Sequence, residues 1–161
     1  MQIDLLAFAK RAAALKAENK KFLSSLKKSD PRKLDEKFHA QHEEVFSRID
    51  CLSCANCCKT TSPIVRESDV DRLAKTLRIR PAEVIAHYLT SEPDGTYVMR
   101  TSPCPFLGAD NYCSVYEGRP AACREYPHTD RKKMIQLLDL TFKNTQVCPA
   151  VLEMVEGMKQ L

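Results

Sequence analysis

Half of the eight cysteines of this chain lie in one short segment, Cys51-Leu52-Ser53-Cys54-Ala55-Asn56-Cys57-Cys58. The others follow singly, at Cys104, Cys113, Cys123 and Cys148. A thiolate is a soft ligand, and two cysteines separated by two residues aim both sulfurs at one centre when the chain turns tightly, as in zinc fingers and iron–sulfur loops. Metal binding is therefore the first hypothesis.

Two kinds of metal centre fit this set of thiols. Eight thiolates divide into two tetrahedral zinc sites, which are closed and structural. Alternatively, Cys51-x2-Cys54-x2-Cys57 reproduces the first three ligands of a ferredoxin-type cluster, whose remote fourth cysteine precedes a proline, as Cys104 and Cys148 do. The match is incomplete because no residue separates Cys57 from Cys58, and spacing leaves the metal open. One or two of the single cysteines fit a buried apolar role equally well.

A site rich in thiolates needs hydrogen-bond donors around its sulfurs. The candidates for that role are Arg119, Arg124 and the backbone amides near Cys123. A surface salt bridge is an equally good explanation of the two arginines.

The composition indicates a soluble globular protein. The chain has 161 residues, 43% of them hydrophobic and 29% charged, which excludes disordered and fibrous classes. No stretch is long and apolar enough to span a membrane, and Asp4 interrupts the N-terminal apolar run, so no secretory signal is expected. We expect a cytoplasmic protein, in which clustered cysteines bind metal more often than they form disulfides.

The charge distribution gives only weak support to nucleic-acid binding. Residues 1–50 hold 11 basic and 8 acidic side chains, whereas residues 51–161 hold 14 and 13. Bound thiolates would add negative charge to the second part. A basic helix over residues 10–28 is the one feature that favours RNA or an anionic partner, and a solvated helix surface explains it as well.

Two helices are predicted at the N-terminus. Apolar residues recur at helical spacing over residues 4–28, with Asn19 filling one position of the stripe. Asp30-Pro31 is typical of a helix start, and this helix is expected to run to about Ile49. We predict that the two form a hairpin, packed apolar face to apolar face, that docks a protein partner. The predicted division is a helical hairpin at 1–50 and a metal-binding domain at 51–161.

The second predicted helix carries His39 and His42 one turn apart, beside Glu43. Such a group could bind a metal, but the order His-x2-His-Glu matches no metallopeptidase signature. Ordinary helix-surface roles are expected for both histidines and for His87.

The remaining pattern predicts short elements around the single cysteines. Pro63-Ile64-Val65 favours an extended piece, and Ser68-Asp69-Val70-Asp71 resembles a capping box that opens a helix. A further helix is expected from Pro81 through Leu89, a strand over residues 96–100, and a small hairpin that brings Cys104 near Cys113. Short helices follow at Cys123, over 130–143 and after Cys148-Pro149. The predicted fold class is mainly α-helical α+β.

The combined cysteine motifs resemble one family. They are Cys51-x2-Cys54-x2-Cys57-Cys58, Cys104-Pro105-Phe106-Leu107, Cys113-Ser114-Val115-Tyr116-Glu117 with Arg119-Pro120, Cys123-Arg124-Glu125-Tyr126-Pro127, and Cys148-Pro149. This pattern, over roughly residues 50–150, is similar to the YkgJ-type cysteine-cluster family (CxxCxxCC), described as a zinc- or iron-chelating domain. The resemblance implies that all eight cysteines are metal ligands.

The resemblance extends to larger flagellin lysine methylases, which implies that such a cluster can serve chemistry. This chain is shorter, and its four glycines, Gly95, Gly108, Gly118 and Gly157, form no glycine-rich nucleotide or S-adenosylmethionine loop. An autonomous methylase is therefore not expected.

We predict a metal centre, foremost a four-iron iron–sulfur cluster, that serves electron transfer or a redox reaction on a partner. The alternatives are a structural zinc module that binds a protein, a metal-dependent modification enzyme, and an RNA- or ribosome-associated protein. A modification enzyme would need an acid or base beside the metal, for which the candidates are Glu117, Glu125, Tyr126 and His128.

Overall fold

The computed structural model describes residues 2–161 and is mainly helical. Within these residues lie nine α-helices, three 3₁₀ turns and one small antiparallel sheet. The predicted fold class, mainly α-helical with a small β-hairpin, is confirmed. Among the same residues, no helix combines the length and the apolarity that crossing a membrane would require.

The helices are α1 (Leu5–Ser25), α2 (Pro31–Phe46), α3 (Cys51–Cys54), α4 (Asn56–Thr60), α5 (Glu67–Leu77), α6 (Pro81–Tyr88), α7 (Ala121–Glu125), α8 (Leu138–Asn144) and α9 (Pro149–Lys159). The strands are β1 (Leu89–Ser91) and β2 (Tyr97–Met99), and the 3₁₀ turns are Leu26–Lys28, Tyr116–Gly118 and Met134–Leu137.

The chain forms two compact units. The terminal unit comprises the residues up to Cys54 together with Pro127–Leu161, and the central unit comprises Ala55–Tyr126. The terminal unit therefore contains α1, α2, α3, α8 and α9, and the central unit contains α4 to α7 and both strands. The predicted division into a hairpin at 1–50 and a metal-binding domain at 51–161 stays a prediction.

Both N-terminal helices begin at aspartate caps. The carboxylate of Asp4 accepts hydrogen bonds from the N–H groups of Leu6 and Ala7, both at 3.0 Å. Asp30 accepts from Lys33 N–H at 2.9 Å, and Pro31 is the first residue of α2, as its sequence predicts. α2 ends at Phe46, earlier than the expected end at Ile49.

The C-terminal helix α9 is the main packing partner in the terminal unit. α2 approaches α9 most closely, and α1 approaches α8 and α9. The apolar cluster of Phe8, Ala12 and Leu152 joins α1 to α9. The expectation that α1 and α2 pack against each other missed this arrangement, because periodicity shows which face of a helix is apolar but not which helix covers it.

The small sheet is a hairpin in the central unit. β1 pairs with β2 in the register Leu89 to Met99, Thr90 to Val98 and Ser91 to Tyr97. Val65 adds a bridge to Tyr97, which confirms the extended piece predicted at 63–65. Leu89 was expected to end a helix and instead begins β1, because its backbone pairs with the strand predicted over residues 96–100.

The start of α5 differs from the predicted capping box. The helix begins at Glu67, and the carboxylate of Asp69 reaches back to accept the N–H of Arg66 at 2.8 Å. The capping carboxylate is therefore Asp69 rather than Asp71. Asp69 also accepts the N–H of Ala121, the first residue of α7, at 3.1 Å and pairs with Arg72.

The 3₁₀ turn at Gly118 lies so close to α5 that a side chain does not fit there. A Cβ atom at position 118 would overlap the hydroxyl of Thr76, lie 2.9 Å from the Thr76 Cβ and lie 3.3 Å from the Arg72 carbonyl oxygen. The Tyr116–Gly118 turn precedes the helix that carries Cys123, so this close approach helps to place that helix.

We expect Gly118→Ala to lower the free energy of unfolding by about 1–3 kcal/mol, because the added methyl group overpacks a rigid contact. Urea unfolding followed by circular dichroism measures the change. The matched control is Gly157→Ala on α9, where the Cβ would meet only the flexible end of Gln41. There the gain in helix propensity, up to about 1 kcal/mol, offsets the contact. Equal stability of Gly118→Ala and the native protein would contradict the proposed close packing.

Candidate metal centre

The central unit contains candidate ligands from distant parts of the chain that direct backbone contacts connect. Cys57 and Cys58 lie in the first turn of α4. This helix begins directly after Ala55, whose backbone is left-handed with φ 51°. The N–H of Cys104 donates to the carbonyl oxygen of Cys58 at 2.8 Å. The cysteine pair is thereby connected to a segment that follows it by some forty residues.

A backbone hairpin places Cys113 beside the segment of Cys104. Leu107 and Cys113 form an antiparallel bridge, and the N–H of Ser114 donates to the Phe106 carbonyl oxygen at 2.8 Å. The N–H of Gly108 donates to the Tyr112 carbonyl oxygen at 2.9 Å and closes the turn. The small hairpin that the sequence predicts here is present as a bridge rather than as two strands.

Cys123 lies on the short helix α7, which is anchored at its start by Asp69. This carboxyl group is buried, with 1% of its residue surface exposed. It accepts the N–H groups of Arg66 and Ala121 and pairs with Arg72, so a buried charge has three donors. Sequence reasoning missed this anchor, since nothing local marks a contact between residues so far apart in the chain.

Four partly buried thiols of the central unit interact through their charges, and we call them the four-thiol group: Cys58, Cys104, Cys113 and Cys123. Burial, together with the charges of the other three thiols, raises the pKa of Cys123 to about 12. Burial likewise raises the pKa values of Cys104 and Cys113, and the charge of Cys58 adds to both. A hydrogen bond with Cys57, followed by burial, raises the pKa of Cys58.

Backbone N–H groups point at the sulfurs and oppose these increases. The Cys104 sulfur accepts from the backbone of Phe106 and Leu107, and the Cys113 sulfur accepts from the backbone of Val115. Such donors stabilise the thiolate form, which is the form that binds metal. The backbone around Cys104 and Cys113 therefore provides hydrogen-bond donors for negatively charged sulfurs.

Arg119 supplies positive charge to the same group. Its guanidinium carbon lies 3.8 Å from the centre of the Tyr116 ring, a cation–π contact. Burial dominates the pKa values of Cys113 and Cys123, but the Arg119 charge lowers both. The structure thus places Arg119, one of the two predicted arginines, in the field of the thiols, whereas Arg124 is exposed.

The terminal unit holds a second set, the three-thiol group: Cys51, Cys54 and Cys148. Cys51 and Cys54 begin and end the single turn of α3, so they share one face of it. Cys148 is the cap residue of α9, 8% exposed, and its sulfur accepts from the backbone of Ala150 and Val151. Burial, with smaller contributions from the charges of Cys51 and Cys54, raises the pKa of Cys148 to about 12.

Within each group the thiols are close enough to interact, but they do not form a closed ligand shell. Within residues 2–161, no three Cys, His, Asp or Glu side chains converge tightly enough to hold a metal ion as they stand. The donor set itself, several soft sulfurs with backbone N–H groups aimed at them, fits a zinc or iron–sulfur centre.

The histidines on α2 have structural partners. His39 Nε2 lies 2.8 Å from the Arg131 carbonyl oxygen, and His42 Nδ1 lies 2.8 Å from the Thr129 hydroxyl. Both rings therefore fasten the segment at 129–131 to α2, in agreement with an ordinary helix-surface role. His87 is exposed and its ring contacts Tyr88.

The candidate acids and bases for a modification enzyme differ in exposure. Glu117 and Glu125 are exposed, whereas Tyr126 and His128 are partly buried. His128 has a left-handed backbone, with φ 63°.

Comparison with known proteins identifies the same part of the chain. A family model named CxxCxxCC, described as "Putative zinc- or iron-chelating domain", matches residues 50–149. The matched range is more than half of the chain and includes all eight cysteines. No curated protein and no solved structure shows a significant match.

The raised pKa of Cys123 predicts slow alkylation in the metal-free protein. Its pKa is raised from an ordinary value of 9.0 to about 12, so at pH 9 the native side chain is mostly the unreactive thiol. We expect its rate with iodoacetamide to keep rising with pH well above 9, and to level off near 9 in guanidinium chloride. Peptide mass spectrometry after timed labelling with chelator present measures both profiles. Identical profiles in the native and the denatured protein would contradict the raised pKa of the buried thiol.

Proposed function

Because the chain belongs to the CxxCxxCC family, we propose that it binds an iron–sulfur cluster that serves electron transfer or a redox reaction on a partner. The observation that carries the proposal is the four-thiol group, whose cysteines come from segments that direct contacts join. The Cys104 N–H bonds to the Cys58 carbonyl oxygen at 2.8 Å, Leu107 forms a bridge with Cys113, and Asp69 accepts the first N–H of the helix that carries Cys123. Four cysteines are the ligand set of a four-iron cluster. The family description itself supports metal binding and leaves zinc and iron open.

The preference for iron comes from the order of the cysteines. Cys51-x2-Cys54-x2-Cys57 has the ligand spacing of cluster-binding loops, and Cys104 and Cys148 each precede a proline. Only Cys104 among them belongs to the four-thiol group, so the pattern favours iron for the protein and does not by itself assign a cluster to that group. We propose all eight cysteines as ligands, with the three-thiol group as the basis of a second site. Cys57, which is hydrogen-bonded to Cys58, is the eighth.

The residues around the four-thiol group have separate roles in this proposal. The four sulfurs would hold the cluster, and the cluster, when bound, would accept and release single electrons. The backbone donors at Phe106, Leu107 and Val115 orient two of the sulfurs and stabilise their negative charge. The Arg119 cation offsets part of the charge that four thiolates bring together, and the Tyr116 ring holds that cation in place.

A structural zinc module is the second candidate. The family description names zinc, and four thiolates make a closed tetrahedral site that supplies folding free energy without redox chemistry. In that case the protein's role is to present its helices to a partner. With either candidate we propose that the protein is cytoplasmic. We also propose that a protein partner binds the N-terminal helices, since the basic side chains of α1 are exposed.

The test of both candidates is elemental analysis of protein purified without oxygen, together with visible and electron paramagnetic resonance spectra. We expect iron, acid-labile sulfide and a visible absorption that bleaches on reduction. Changing Cys104→Ser should remove the metal of the central unit, because it deletes one thiolate of four. The control is His39→Gln, which alters a structural tether and should leave the metal content unchanged.

The outcomes separate the candidates. Zinc in colourless protein would replace the redox proposal by the structural one. A Cys104→Ser variant with its full metal content would contradict the assignment of the four-thiol group as a metal site. Native protein without any bound metal would overturn both candidates.

A further inference from the structure

Asn19 occupies an unfavourable position at the centre of α1. It is fully buried, in line with Phe8, Ala12 and Leu23 on the packed side of the helix. Within residues 2–161, neither its amide nitrogen nor its amide oxygen has a hydrogen-bond partner. Burying an amide without partners costs free energy, whereas an apolar residue of similar size would stabilise the same position.

Ion pairs at the rim hold α1 to the C-terminal helices. Arg11 pairs with Glu153, and Glu18 accepts from Lys159 at 2.6 Å, so two pairs join α1 to α9. A third pair joins Lys27, in the turn after α1, to Asp139 on α8 at 3.0 Å. At least one partner in each pair is well exposed, so dissolved salt screens the attraction.

A hydrogen bond from the segment before α9 also fastens α1. The side-chain amide of Gln146 donates to the Ala12 carbonyl oxygen at 3.1 Å. Gln146 lies two residues before Cys148, the cap of α9. Docking of α1 is therefore connected to the segment that leads to a cysteine of the three-thiol group.

α2 provides the contrast within the same unit. Its buried residues are Leu34, Phe38 and Val45, all at 1% exposure or less, and all apolar. It packs against the same helix α9. Two neighbouring helices thus share one partner, but only α1 combines a buried amide without partners with attraction from exposed charges.

We propose that α1 (Leu5–Ser25) is a strap that opens from α8 and α9 by local unfolding, with an opening equilibrium set by ionic strength. The buried amide of Asn19 keeps the free-energy difference between the closed and the open state small. The ion pairs at the rim favour the closed state at low salt. Opening uncovers the apolar contact of Phe8 with Leu152 and releases the Gln146 bond. The apolar side of α9 around Leu152, one turn beyond Cys148, then becomes exposed to solvent. The inference does not depend on the identity of the metal.

The test is hydrogen–deuterium exchange of the full chain, resolved by peptide, at about 0.02 M and about 0.5 M sodium chloride, where the screening length differs several-fold. We expect α1 amides to exchange faster than α2 amides, and to speed up about fivefold at high salt. The α2 amides, whose packing is apolar, should change little. Salt-independent exchange in α1, or protection equal to that of α2, would overturn the proposal.

Variants test the two causes separately. Asn19→Leu removes the buried amide and should slow the exchange of α1 by about tenfold or more. Glu153→Gln removes one rim pair and should speed it at low salt. The matched control, Glu83→Gln, removes the exposed pair with Arg80 in the central unit, which does not involve α1, and should leave α1 unchanged. Faster exchange in Asn19→Leu would show that the amide stabilises the closed helix, and would reject the strap.

Discussion

Gathering several thiols into a partly buried space constrains the whole central unit. Burial and mutual repulsion keep the sulfurs protonated, as the raised pKa values of Cys104, Cys113 and Cys123 show. Only a cation, or donors that compensate negative charge, can make them thiolates together. Much of the surrounding structure supplies such compensation, through backbone N–H groups at the sulfurs and the guanidinium of Arg119.

Rigid contacts hold those thiols although their segments are far apart in the chain. The Cys104 N–H bonds to the Cys58 carbonyl, and the Leu107–Cys113 bridge closes the next segment. Asp69 then joins the start of α5 to the start of α7. A buried carboxylate is stable there because three donors surround it, and losing any of them would leave a charge without compensation.

The terminal unit is built around one apolar helix, α9, which the other helices of the unit cover. Seven residues of α9 are buried, and both N-terminal helices pack against it. The buried residues of α2 are all apolar, whereas α1 uses a short apolar cluster and exposed ion pairs and buries Asn19. The two N-terminal helices therefore pack against the same helix through different kinds of contact.

Sequence alone was sufficient where a signal is local. Caps at Asp30-Pro31, the helix after Cys148-Pro149 and the strand near Tyr97 follow from turn chemistry and side-chain type, and all are present. The cysteine spacing likewise indicated a metal-binding family, which the match over residues 50–149 shows. These features depend on neighbours within a few residues, so a linear pattern contains them.

Only the tertiary structure decided what depends on distant partners. It divided the interacting thiols into a group of four and a group of three, gave His39 and His42 to a structural tether, and replaced the expected α1–α2 pairing by packing on α9. It also revealed that Asn19, which the periodicity counted as one more position of a stripe, is buried without hydrogen-bond partners among the described residues. Periodicity identifies the face of an element that is buried, whereas the identity of the group that covers it depends on how the whole chain packs.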